Sequence, residues 1–315
     1  MLTAAAGFPI AVFGDWGAPA GLATALLWSI AAMAWSTAGR RVGAMAVSTI
    51  RITAATLIML ALHWLFFGRP WPTDMPRESL LLLAGSGALA AGFGDMLWFR
   101  SLVVLGPRVG MLIMSLCPVA TAVLAYATPM RETLGATQIA GMLLTVAGVA
   151  WVIAEGRKRQ SWQRPHGSTF AGGVFCAVTS TILVAAGMVM SRMALAGRAD
   201  VSAFSGSLVR VAAASVFALL AMLATGRAGQ LVAAVKNARA MRIILAGTVV
   251  GPVVGIWLSQ VAIKLAPSGV ATALIGTSPV MMVPLAYLFF GERPTASAVA
   301  GAVLATAGVA VMIVR

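Results

Sequence analysis

The chain has 315 residues, 60% of them hydrophobic and 10% charged, with a mean hydropathy of +0.96 and a formal charge of +14. A soluble domain carries about 25% charged residues, so too little polar surface remains here to cover a water-soluble body, and apolar runs of bilayer-spanning length recur instead. The positive charge does not indicate nucleic acid: most of the 22 Lys and Arg flank the apolar runs, where loops meet lipid headgroups, and no basic run is interleaved with aromatics.

The N-terminal stretch MLTAAAGFPIAVFGDWG lacks a basic region and does not read as a cleaved signal peptide. Ten spans are predicted after it, at 18–37, 44–67, 80–103, 107–127, 134–154, 169–191, 201–225, 241–263, 267–290 and 295–314. Continuous apolar runs of this length are helices, because lipid offers no partner to an open backbone. The first span holds Trp28; the second holds Arg51 early and His63 near its end. The third carries Gly85, Gly87, Gly92 and Gly94, then Asp95, Trp98 and Phe99. Such glycines permit close helix approach or leave room for a ligand, and the sequence leaves both uses open. Pro118 in the fourth span, and Pro279 and Pro284 in the ninth, are expected bend points. The sixth span has the polar triplet Thr179, Ser180 and Thr181; the eighth has Gly247, Gly251, Gly255, Trp257 and Gln260. Cys117 and Cys176 lie inside apolar runs and read as small buried apolar residues rather than a disulfide.

Part of this order occurs twice. Pro118 to Ile153 reads PVATAVLAYATPMRETLGATQIAGMLLTVAGVAWVI, and Pro279 to Ile313 reads PVMMVPLAYLFFGERPTASAVAGAVLATAGVAVMI. Arg51 likewise matches Arg210, and Pro107 matches Pro267. A repeat at half the chain length implies a fused pair, with repeats at 18–155 and 169–314 and a polar linker at 156–168. Five spans per half is an odd number. The second half then enters the membrane from the opposite side, giving an all-α membrane protein of ten transmembrane helices in two inverted five-helix repeats. Counting Lys and Arg by side gives seven with the N-terminus and twelve opposite, four of the twelve from the linker, which places both termini outside.

These residues resemble the EamA-type permeases of the drug/metabolite transporter superfamily. The features are Trp28 in the first span, Arg51 and Arg210 early in the second and seventh, Pro-Val in the fourth and ninth, and Glu132 and Glu292 before the fifth and tenth. Gly141 with Gly148 and Gly301 with Gly308 complete the set. The family pattern has Gly-Glu between the fourth and fifth spans, where this chain has Arg131-Glu132. The resemblance implies a multi-pass carrier of the cell inner membrane that moves small organic solutes by alternating access. An exporter of amino acids or related metabolites is the first expectation, and a multidrug or nucleotide-type metabolite carrier the alternative.

Of the eight carboxylates only Asp95 sits inside a span, roughly 22 Å along it. It reads either as a group that binds a cation or a proton in a central cavity, or as half of a structural ion pair. Arg100, five residues on, is badly placed to be the other half. Trp98 and Phe99 share the Asp95 face at i+3 and i+4. With Trp28, Trp257, Gln260 and Ser180 they complete the expected substrate-binding set, although Ser and Thr hydroxyls in helices more often bond to their own i−4 carbonyl. Arg51 and Arg210 read as snorkelling or bracing residues, with anion binding as the other use, and His63 as structural. No HExxH, GxSxG, P-loop or Cys/His cluster occurs. No catalysis, cofactor or metal is therefore expected, and an intramembrane enzyme or a channel is the remaining class. The expected partners are a small-molecule substrate and the lipid bilayer. Proton coupling, and a monomer against a homodimer, stay open.

Overall fold

The computed structural model describes residues 16–128, 135–158, 167–265 and 296–313, with isolated positions between 271 and 288. Every regular element among them is helical. In chain order these are α1 (Gly17–Val42), α2 (Ala44–Phe67), α3 (Arg77–Leu105), α4 (Pro107–Met114), α5 (Cys117–Ala127) and α6 (Ala136–Lys158). The second half supplies α7 (Phe170–Leu195), α8 (Ala203–Ala224), α9 (Ala228–Lys236), α10 (Ala238–Leu265) and α11 (Ala296–Ile313). Six of them, α1, α2, α3, α7, α8 and α10, are long and apolar enough to cross a membrane, and shorter apolar stretches occupy the fourth, fifth and tenth predicted spans. The ninth span lies outside the described residues apart from isolated positions, as do Pro279, Pro284, Glu132 and Glu292.

Two predicted boundaries differ for identifiable reasons. The fourth span is broken at Ser115 and Leu116, whose amides bond back only three residues, to Leu112 and Ile113 at 3.1 and 3.0 Å. Pro118 causes this: it has no N–H to offer Met114, and its ring crowds that carbonyl. Helix α9 falls where a loop was expected. At nine residues it is too short to span, so its sequence carries no bilayer-length run; Ala234 packs inward while Val232 and Val235 face out.

Single glycines join α1 to α2 and α3 to α4. Gly43 and Gly106 have φ of 89° and 84°, which residues with a Cβ rarely adopt. Outward-facing Leu57, Leu65, Phe175 and Leu220 are exposed, as a lipid-facing surface requires. Polar groups turn inward. The buried His63 donates from Nδ1 to the Arg69 carbonyl at 2.6 Å, and its Nε2 is bonded to the Ser205 hydroxyl at 3.0 Å.

The packing between the halves is reciprocal. Helix α1 lies on α10, and α3, which holds the place of α10 in the first half, lies on α7 and α8. Helices α2 and α8, at matching places, pack on each other, with Thr53 and Ser215 hydroxyls 2.9 Å apart. So do α6 and α11. In the latter pair a Cβ at Gly148 would lie 2.5 Å from the Ala305 nitrogen and 2.8 Å from the Gly301 oxygen, and one at Gly308 would strike Thr145 and lie 2.6 Å from the Gly141 oxygen. Each partner thus meets the repeat-mate of what the other meets. In lipid no apolar driving force separates helix from solvent, so such backbone approach supplies the attraction.

Gly148→Ala should therefore lower stability by about 1–3 kcal/mol, because the Cβ meets backbone that cannot swing away. Gly229→Ala, with nothing within 4 Å, should be neutral or gain up to about 1 kcal/mol from helix propensity. Unfolding of the two variants in detergent, compared with wild type, checks the contrast; equal effects would remove the close-packing account.

Candidate functional site

Between the halves lies a cavity with about 100 Å³ open to the centres of water molecules. The first half contributes Trp28 and Trp35 from α1, Arg51 from α2, and Asp95 and Trp98 from α3; the second contributes Met188, Arg210, Ile256 and Ser259 among others.

Two devices build its walls. The first is the glycine series. A Cβ at Gly255 would lie 2.8 Å from the Trp28 ring, one at Gly247 would lie 2.6 Å from Trp35 Nε1, and one at Gly251 would strike the Trp35 ring. The α10 glycines thus leave grooves that the two indoles of α1 fill. In α3, a Cβ at Gly92 would lie 2.9 Å from the Phe217 ring and one at Gly87 would strike the Arg210 backbone. Close approach is realised at each of these glycines, and Gly251 also lines the cavity. The second device is a widened turn. Gly87–Gly94 of α3 and Val249–Gly255 of α10 are π-helical, at corresponding places in the two halves. Pro252 sits inside the second, and Asp95 directly succeeds the first. Such segments frequently occur at functional sites.

Asp95 is paired, and its partner is Arg51 rather than anything on its own helix. Arg51 Nη2 donates to Asp95 Oδ2, with side-chain exposures of 4% and 17%. The Arg51 guanidinium lies over two neighbouring rings, 4.5 Å from the Trp35 centroid and 4.6 Å from that of Phe99. Arg51 and Arg210 are buried in the interior and line the cavity, which corrects their reading as snorkelling residues. Arg51 stands about 10 Å inside α2, deeper than its side chain can reach back to a headgroup. That depth was the available signal. Among the described residues Arg210 has neutral hydrogen-bond acceptors: Nη1 donates to Ser191 Oγ and, at 3.5 Å, to the Gly187 carbonyl, while Asp95 acts on it through space. Ser86 ties the same cluster together, 2.8 Å from the Gly187 oxygen and 3.0 Å from Ser191 Oγ.

Of the seven expected residues, Trp28, Asp95 and Trp98 line the cavity. Phe99 lies behind it, fully buried, with its edge to Trp35 at 5.6 Å and its face under Arg51. Its i+4 spacing puts it beside Asp95 on the helix but one layer deeper. Trp257 packs against Phe204 at 5.9 Å. Gln260 is buried with neither amide atom partnered among the described residues, while its neighbour Ser259 faces the cavity. Ser180 is buried against the Gly94 segment, its hydroxyl unpartnered among the described residues; Thr181 bonds to the i−4 carbonyl of Ala177 at 2.8 Å. Trp35 was missed, although it stands two turns beyond Trp28 on the same face. Cys117 and Cys176 are buried free thiols. No group of three His, Cys, Asp or Glu able to hold a metal occurs among the described residues.

A buried pair opposes loss of either member more than loss of both. Asp95→Asn and Arg51→Gln should each cost about 3 kcal/mol, the low end for a buried pair because Asp95 borders the cavity, and the double variant should cost less than their sum. A double-mutant cycle on unfolding in detergent checks this; additive effects would mean the pair is not coupled.

A model of the EamA-like transporter family matches residues 15–154 and again residues 171–314. A solved structure described only as a crystal structure of a protein is similar over 94% of this chain and 95% of its own, at 16% identity and a TM-score of 0.64; at that identity the likeness shows the fold alone. No curated protein gives a significant match.

Proposed function

Because the chain belongs to the EamA-like transporter family, whose model matches both of its halves, we propose that it carries small organic solutes across the membrane by alternating access. In this reading the halves, 18–155 and 169–314, are inverted repeats of five spans joined by a linker at 156–168, and the cavity between them is the solute site. The single observation that carries the reading is that both halves line one cavity holding charges of each sign and a wall of indole rings. Sites near the midplane between inverted halves are the general arrangement in secondary transporters. The reciprocal packing of α1 on α10 and α3 on α7 supports the inversion.

Amino acids or related metabolites are the first solute class, with export the expected direction; both rest on the family resemblance. Trp28 and Trp98 would hold the apolar part of the solute, and Asp95 and Arg51 would set its orientation. Phe99 would act through Arg51, while Trp257, Gln260 and Ser180 would support the wall from behind. The protein would work as a carrier without catalysis, in the cell inner membrane, as a monomer or homodimer.

Reconstituted in liposomes, the protein should show saturable counterflow with at least one of three solute classes: amino acids, nucleosides or cationic dyes. Trp28→Ala and Trp98→Ala should each slow counterflow about tenfold through lost ring contact. Trp64→Ala, outward-facing and 66% exposed, should leave it within about twofold. No counterflow with any class would overturn the transport reading. Non-saturable flux would indicate a channel.

A further inference from the structure

The charges around the cavity do not balance. Among the described residues two arginines and one carboxylate line it, leaving one positive charge in a region where an unneutralised ion is costly. The surplus belongs to the second half. Arg51 is committed to Asp95 and to the faces of Trp35 and Phe99, whereas among the described residues Arg210 donates only to a serine hydroxyl and a backbone carbonyl and meets Asp95 through space, without a hydrogen bond. The repeat explains the asymmetry. At the offset of 159 that matches Arg51 with Arg210, and Trp98 with Trp257, Asp95 falls on Val254. The second half therefore has the cation without its counter-ion. Among the described residues the other carboxylates are Asp74 and Asp200 outside the helices, Glu78 in the first turn of α3 and Glu155 near the C-terminal end of α6.

Resting on the transport reading of the cavity, we infer that its solutes are monocarboxylates with an apolar or aromatic body, recognised by the surplus charge of Arg210. Asp95 serves as the resident counter-anion of Arg51 and not as a receptor for an ammonium group. An amino group on the solute is not required and weakens binding, since it restores the surplus that the carboxylate cancels. One negative charge cancels the surplus; a phosphate dianion overshoots it. An amine adds a second positive charge to a site that already has one in excess, and the carboxylate that would welcome it is occupied. The apolar remainder lies against Trp28, Trp98 and Ile256. Guanidinium is suited to this task because its donors form a planar fork that matches a carboxylate.

Four probes of one size separate the alternatives on the unmodified full-length chain: 3-phenylpropionate, phenylalanine, 2-phenylethylamine and phenyl phosphate. Binding is measured by titration calorimetry of the purified protein at pH 7. The expected result is tightest binding of 3-phenylpropionate, weaker binding of phenylalanine and of phenyl phosphate, and none of 2-phenylethylamine. Arg210→Gln should weaken 3-phenylpropionate about tenfold or more, and Arg210→Lys less, since charge remains without the fork.

Binding of phenylalanine without 3-phenylpropionate, or of the amine in preference, would overturn the inference and return Asp95 to the role of ammonium receptor. Tightest binding of phenyl phosphate would overturn the monocarboxylate class. If none of the four binds, the inference falls; counterflow of some other solute would then leave the transport reading standing, and its absence would remove both. The wild-type series alone decides the class, so failure of a variant to fold does not rescue the proposal.

Discussion

A carboxylate and two guanidinium groups inside a lipid-facing helix bundle must be stabilised by the protein itself, because no water or counter-ion reaches them from the hydrocarbon. An ion near the bilayer centre costs about 3 kcal/mol on insertion scales and more by other estimates. Asp95 and Arg51 solve this together, and their solution dictates much of the surroundings. Helix α2 must lie against α3 at the level where the pair meets. The guanidinium faces need apolar but electron-rich cover, which Trp35 and Phe99 supply. Trp35 can take that place only because Gly247 and Gly251 leave α10 open beneath its ring. Remove either glycine and the ring over Arg51 is displaced. The ion pair, the aromatic cover and the small-residue stripe are thus one mechanical unit spread over four helices.

The same unit shapes the space beside it. The indoles of α1 that fill the α10 grooves present their other sides to the cavity, so the packing that joins the halves also builds the wall a solute would meet. The π-helical segments fall in this layer in both halves. A wider turn shifts the register of the residues C-terminal to it, and in α3 the first of those residues is Asp95. At the contact of α6 on α11, backbone meets backbone through Gly148 and Gly308.

Duplication sets the frame, and departure from it gives the site its chemistry. Arg51 and Arg210 keep their places in both halves, but only the first half has a carboxylate to match. The two cations therefore sit in unlike surroundings, one neutralised and stacked, the other held by Ser191 and a carbonyl. A symmetric scaffold with an asymmetric charge distribution can orient a solute that a fully symmetric one would bind in two equivalent poses.

The sequence alone determined the membrane setting, the doubling and most of the helices, since length, hydropathy and repeated spacing are local or periodic quantities that survive without coordinates. It also singled out Asp95, because a lone carboxylate in an apolar run is costly wherever the run goes. What it could not supply was the partner. Arg51 lies 44 residues away on another helix, and hydropathy carries no information about which faces of two helices meet. The glycines were ambiguous for the same reason: only the tertiary structure sets the Trp28 and Trp35 rings against Gly255, Gly247 and Gly251, and leaves Gly251 on the cavity wall as well. Phe99, Trp257, Gln260 and Ser180 share spans and faces with cavity residues, yet sit one layer behind or turn toward another neighbour. Depth along a helix is set by residue number; depth from a cavity is set by how the helices rotate and tilt against one another, and that is settled only when close packing across the two halves selects a single arrangement.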